Sequence, residues 1–113
     1  MDFEGKTALI TGAGNGIGKS AAIRFAEGGA NVILVDINID AVMETQKEIA
    51  HLGKEYLAIK VDMGSLEEID QMVDQSTRRF ESIDILFNNA GLTRHINFLD
   101  IEEEHWDQIH RVN

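Results

Sequence analysis

Thr11-Gly12-Ala13-Gly14-Asn15-Gly16-Ile17-Gly18 decides how the chain is read. An apolar, β-prone run, Thr7 to Ile10, precedes it, and a helix-like run, Lys19 to Glu27, follows. The order is strand, tight glycine turn, helix start. Such a turn brings a helix N-terminus and bare backbone close to a ligand, and the natural ligand there is an anion such as a phosphate. Packing alone does not ask for glycine at 12, 14, 16 and 18; the plain alternative is an ordinary strand-to-helix loop. The stretch departs from the common dinucleotide fingerprint G-x-G-x-x-G, because Ile17 stands where the third glycine would be. Its own pattern is T-G-x-x-x-G-x-G.

Outward from the turn, strand and helix patterns alternate. Lys6 to Thr11 reads as a first strand, apolar enough to be buried on both faces. Ile17 to Glu27 reads as a helix with Ile17, Ala21, Ala22, Phe25 and Ala26 on its inner stripe, stopped by Gly28-Gly29. Asn31 to Asp36 is a second strand. Asp40 to Leu52 is a second helix, with Val42, Ile49 and Leu52 on one face and Gly53 at its end. Glu55 to Val61 is a third strand. Ser65-Leu66-Glu67-Glu68 is a capping box opening a helix whose stripe is Ile69, Met72, Val73 and Phe80. Ile83 to Phe87 is a fourth strand, Arg94 to Leu99 a loop, and Asp100 or Ile101 opens a last helix carrying Trp106, Ile109 and Val112. Four such alternations mean βαβ units: a parallel sheet, helices on its faces, right-handed crossovers.

The totals set limits. A chain of 113 residues makes one domain with a modest core, and 43% hydrophobic with 27% charged residues suits a globular protein. The net charge of -10 argues against nucleic acid and anionic membrane surfaces as partners. An anionic cofactor can still bind through local backbone donors. With no cysteine, disulfide and thiolate chemistry are excluded, which is compatible with a cytoplasmic protein. No secretory signal and no membrane-length apolar run is visible. His105 and His110 are five apart, not the i, i+4 pair of a helical metal site, so no metal is expected.

Ligands of such sheets bind beyond the carboxyl ends of the strands. The first strand ends in the glycine turn. The second ends in Asp36, about 20 residues past the turn, where an acid can accept hydrogen bonds from both hydroxyls of an adenosine ribose. A 2′-phosphate there would meet like charge, and no Arg or Lys lies at Asn15, Ile37 or Asn38 to offset it. NAD is therefore favoured over NADP. The third strand ends in Asp62-Met63, placed to receive the adenine amino group; Asp62 as a simple turn acid is the alternative. The fourth ends in Asn88-Asn89-Ala90-Gly91, suited to a loop that lets a flat ligand pass, or to an Asx turn.

These residues together resemble the short-chain dehydrogenase/reductase family: Thr11-Gly12-x-x-x-Gly16-x-Gly18, Asp36, Asp62, Asn88-Asn89-Ala90-Gly91 and the closing Trp106-Asp107-x-x-x-x-Val112-Asn113. The resemblance covers essentially the whole chain. It implies a Rossmann-like parallel sheet, its first four strands in the order 3-2-1-4 with helices on both faces, forming one partial NAD-binding domain over residues 1–113. It implies hydride transfer between NAD(H) and an alcohol/carbonyl carbon of a small-molecule substrate. By position, Gly12, Asn15, Gly16, Ile17 and Gly18 would hold the pyrophosphate side. Asp36 and Ile37 would bracket the adenosine ribose, Asp62 and Met63 would meet the adenine, and Asn89, Ala90 and Gly91 would line the cleft floor. Asn113 falls on the family's catalytic asparagine.

The family's serine and its Tyr-x-x-x-Lys pair follow that asparagine, and this sequence stops at it. Tyr56-Leu57-Ala58-Ile59-Lys60 has the right spacing in the wrong place. Residues four apart are neighbours on a helix, but on a strand they stand roughly 13 Å apart, and this segment reads as the third strand. The chain therefore reads as the cofactor-binding half of such an enzyme, cut rather than finished. It is expected to bind adenine nucleotides weakly, to be inactive alone, and to pair with another copy or be poorly soluble by itself, since Ile83 to Phe87 would be an apolar edge. A non-catalytic nucleotide-binding or assembly module is the alternative. Arg94, His95 and Phe98 lie in a loop near the expected substrate side, read as solvated, with substrate contacts as the alternative.

Overall fold

A computed structural model describes residues 3–52 and 54–89. Four strands and three helices alternate: β1 (Thr7–Thr11), α1 (Gly16–Glu27), β2 (Asn31–Asp36), α2 (Ile39–Ile49), β3 (Tyr56–Lys60), α3 (Leu66–Arg79) and β4 (Ile85–Asn88). All pairings are parallel and the order is β3-β2-β1-β4, as the resemblance implies. The expected Arg94–Leu99 loop, the last helix with Trp106, Ile109 and Val112, and Gly53, Ala90, Gly91 and Asn113 lie outside the described residues.

Alternation along the strands sends side chains into two cores. Leu9, Ile33 and Val35 face α3, packing on Ile69, Met72 and Val73. Ala8, Ile10, Val32 and Leu34 face the other way, onto Ala22 and Ala26 of α1 and Val42 and Ile49 of α2. Every residue of β1 is buried, which is why its sequence is an unbroken small and apolar run. At the far end of the first βα unit, Gly28-Gly29 closes α1 as a Schellman turn. Ala30 N–H donates to the Phe25 carbonyl and Gly29 N–H to that of Ala26, both at 3.0 Å, with Gly29 at φ 99°.

The departures from expectation have local causes. Ile17 is 69% exposed rather than part of α1's inner stripe. The buried face runs through Gly18, Ala22 and Ala26, because Gly18 is pressed against the turn. The second helix ends as α-helix at Ile49 and tightens into a 3-10 turn over Ala50–Leu52. The Tyr56 hydroxyl donates to the Ile49 carbonyl at 2.9 Å, satisfying one of the groups a helix end leaves over. Phe80 is buried but sits past α3 in extended conformation, and Ser76 takes the inner helical place. Ser65 caps α3 by accepting Glu68 N–H at 3.2 Å. The Glu68 carboxylate does not return to Ser65. Ser65 N–H is already donated to the Asp62 carbonyl, so Glu68 accepts Asp62 N–H at 2.9 Å instead.

Candidate functional site

The glycine turn runs from the end of β1 into α1, and its glycines have separate reasons. Gly12 and Gly16 have φ of 65° and 59°, backbone that side chains rarely adopt. A Cβ at Gly18 would lie 1.9 Å from the Gly12 carbonyl oxygen and 3.0 Å from the Asn89 amide nitrogen. A Cβ at Gly14 would lie 2.7 Å from the Ala41 Cβ and 2.9 Å from Asp36 Oδ2. Glycines 14 and 18 therefore let the turn settle against α2 and against β4's exit, and glycines 12 and 16 let it bend.

The turn ends at a bare helix start. Asn15 is the N-cap of α1, yet it is exposed and its side chain makes no capping bond; the first turn of α1 has no acid. The other two helices are closed. In α2 the Asn38 side chain accepts Ala41 N–H at 3.1 Å, with Asp40 in the first turn. In α3 Ser65 caps, with Glu67 and Glu68 following. The leading N–H groups of α1 and the positive end of its dipole are thus offered outward, beside the exposed Gly16 and Ile17.

Asp36 closes one side. Its Oδ2 accepts Gly14 N–H at 2.9 Å and its Oδ1 accepts Asn38 N–H at 3.1 Å. Each carboxylate oxygen keeps a further lone pair for a ligand hydroxyl. Next to it Ile37 is 59% exposed. On the other side, the Thr11 hydroxyl donates to Asn88 Oδ1 at 2.8 Å and accepts Asn89 N–H at 2.9 Å. This ties the ends of β1 and β4 and brings the Asn89 side chain over Gly18. Gly12, Asn15, Gly16, Ile17, Gly18, Asp36, Ile37 and Asn89 therefore share one edge of the sheet.

Asp62 and Met63 stand differently. Asp62 Oδ1 accepts Gly64 N–H at 2.8 Å, the turn role weighed for it from sequence. The Met63 side chain is buried in the α3 core. Thr45 was missed. It is fully buried on α2, and its hydroxyl donates to the Ala13 carbonyl inside the glycine turn at 2.9 Å. Only the polar character of a residue at an inner helical position signals it.

Tyr56 and Lys60 both lie on β3, where no helical neighbourhood exists. Burial pushes the Tyr56 hydroxyl's pKa up, the reverse of what a general base needs, and its proton is committed to Ile49. Among the described residues no cluster of His, Asp or Glu has metal-site geometry, and no helix is long and apolar enough to cross a membrane. A groove of about 410 Å³ beside β3 and α3, lined by Ile59, Lys60, Gln71 and Gln75 among others, includes none of the turn's residues.

A family model of short chain dehydrogenases matches residues 6–113. The chain belongs to the short-chain dehydrogenase family. Its members are oxidoreductases, and the parallel 3-2-1-4 sheet above belongs with the Rossmann-like fold of its solved relatives. Over 113 residues the chain is 42% identical to an uncharacterized oxidoreductase of Thermotoga maritima, covering 100% of this chain and 44% of that protein. It is similar to NAD+-bound xylitol dehydrogenase, with 40% identity and a TM-score of 0.77 over 80% of this chain and 35% of that one. A 7α-hydroxysteroid dehydrogenase complexed with NADH and 7-oxo glycochenodeoxycholic acid gives 39% identity and a TM-score of 0.77, covering 95% of this chain and 42% of the other. The chain spans less than half the length of the curated relatives it matches.

Proposed function

We propose that this short-chain dehydrogenase chain binds NAD at the glycine turn, as the cofactor-binding part of an enzyme interconverting an alcohol and a carbonyl compound. The observation that carries the proposal is the bare N-terminus of α1 beside Asp36: donors for a pyrophosphate next to an acceptor for a ribose. NAD-bound and NADH-bound relatives support it. Gly12, Asn15, Gly16, Ile17 and Gly18 hold the pyrophosphate side. Asp36 and Ile37 bracket the adenosine ribose, and its negative charge disfavours a 2′-phosphate. Asp62 and Met63 meet the adenine. Asn89 lines the floor, with Ala90 and Gly91 continuing it. Asn113 takes the role of the family's catalytic asparagine. NAD supplies a hydride acceptor at its nicotinamide ring; these residues bind and orient it.

The only tyrosine is Tyr56, held on a strand. The 113 residues alone are therefore expected to bind NAD and to oxidise no alcohol. Pairing with a second copy belongs to the same proposal, since among the described residues no strand pairs with the outer edge of β4.

Titration calorimetry with NAD, NADP and ADP tests the binding. Heat with NAD and ADP at millimolar ligand or below is expected, and its absence on folded protein sinks the proposal. Asp36→Asn should weaken NAD about tenfold and raise relative acceptance of NADP, since a hydrogen bond to a charged acceptor is worth roughly 1.5–3 kcal/mol. A wild-type preference for NADP would remove the Asp36 assignment.

A further inference from the structure

A turn built from glycines has few side chains to hold it, and glycine carries the largest entropy loss on ordering. Three successive backbone groups of this turn are nevertheless tied to one neighbour, the β2–α2 unit. Ala13 N–H donates to the Val35 carbonyl at 3.0 Å. The Ala13 carbonyl accepts the Thr45 hydroxyl at 2.9 Å. Gly14 N–H donates to Asp36 Oδ2 at 2.9 Å. The middle tie is made by a helix side chain. Thr45 has one hydroxyl hydrogen and two acceptors in reach: Ala13 at 2.9 Å and, on its own helix, Ala41 at 3.2 Å. A threonine inside a helix commonly returns its hydrogen to the carbonyl four residues back. Here the shorter bond leaves the helix for the turn. The fit around it is close, since a Cβ on Gly14 would stand 2.7 Å from Ala41.

We propose that Thr45 is a positioning residue for cofactor choice: it fixes the glycine turn on α2 so that Gly14 N–H holds the Asp36 carboxylate toward the adenosine ribose. Thr45 itself is fully buried and touches no ligand. Without its hydroxyl the Ala13 carbonyl loses its partner, the turn lifts from α2, and Gly14 releases Asp36. The freed carboxylate turns toward solvent, weakening the ribose contact and lowering its repulsion of a 2′-phosphate. This inference rests on Asp36 being the ribose-binding acid.

The test compares the full chain with Thr45→Val, which keeps the shape without the hydroxyl, and Thr45→Ser, which keeps the hydroxyl. Amide exchange is read first, without nucleotide. Thr45→Val is expected to speed exchange at Gly14 about tenfold while α3 amides keep their rates; Thr45→Ser stays near wild type. With nucleotide, Thr45→Val is expected to weaken NAD binding about tenfold and to narrow the NAD-to-NADP affinity ratio. A residue serving stability alone leaves that ratio unchanged. Unaltered Gly14 exchange, or an unaltered ratio, in folded Thr45→Val overturns the proposal. Should that variant fail to fold, Thr45→Ala removes the same hydroxyl and must narrow the ratio; an unaltered ratio there overturns it equally. A wild-type chain that binds neither nucleotide, with Gly14 exchange still governed by Thr45, overturns the NAD reading and leaves the tether standing.

Discussion

The junction from β1 to α1 and the junction from β3 to α3 do the same topological job with opposite chemistry. Each leads a parallel strand into a helix. At β3–α3 the helix start is closed from within: Ser65 accepts Glu68 N–H, Glu68 accepts Asp62 N–H, and two acids sit in the first turn. At β1–α1 the cap residue makes no capping bond, no acid follows, and glycines clear the space in front. The first arrangement spends the helix terminus on stability. The second leaves the same donors for a ligand. Function in this fold is legible as a stabilising interaction withheld.

Four substitutions press on that contrast. The largest effect belongs to Gly18→Ala. Its Cβ would overlap the Gly12 carbonyl oxygen, so the turn cannot close; about 3 kcal/mol or more of stability should be lost by denaturant unfolding, together with NAD binding. A wild-type midpoint would mean the turn is looser than described. Asn15→Asp makes α1 resemble α3. Helix stability should rise by about 0.5 kcal/mol while NAD affinity falls about tenfold or more, because the new carboxylate occupies the pyrophosphate's donors. Tighter NAD binding in that variant would break the comparison. Ser65→Ala attacks the other junction. We expect a loss of about 1 kcal/mol in thermal or chemical unfolding and NAD affinity within twofold of wild type. The smallest effect is Ser76→Ala. The buried Ser76 hydroxyl of α3 has no hydrogen-bond partner among the described residues, so its removal should raise stability by about 0.5 kcal/mol. A clear destabilisation would show a hidden partner.

Much of this was readable from residues alone, for physical reasons. The four strands are apolar runs between strong turn signals, so their existence and parallel arrangement followed from alternation with helical periods. Asp36 and the glycines were visible because their chemistry is local to the turn. What escaped depends on rotation and distance. Ile17 looked like stripe because apolar residues at helical spacing cannot say which face a glycine contact selects. Thr45 looked like any polar residue in an inner position, since its partner lies 32 residues earlier in the chain. Glu68 matched its capping pattern, but the backbone bond from Ser65 to Asp62 took its place and redirected it.

The sheet order has a temporal consequence. β1 is an inner strand, yet its two neighbours come from very different places in the chain. One pairing, to β2, closes over a short βα unit. The other, to β4, closes about three times as far, as in the bond from Thr7 N–H to Asp84 across 77 residues. Loop closure over the longer span costs about 1 kcal/mol more, so it comes later. On a ribosome, β1 pairs on one side and waits on the other until the fourth strand emerges. During that wait an inner strand with an apolar centre, Ala8-Leu9-Ile10, is exposed as an edge, and a nascent chain in that state is a natural client for a chaperone that recognises extended apolar segments.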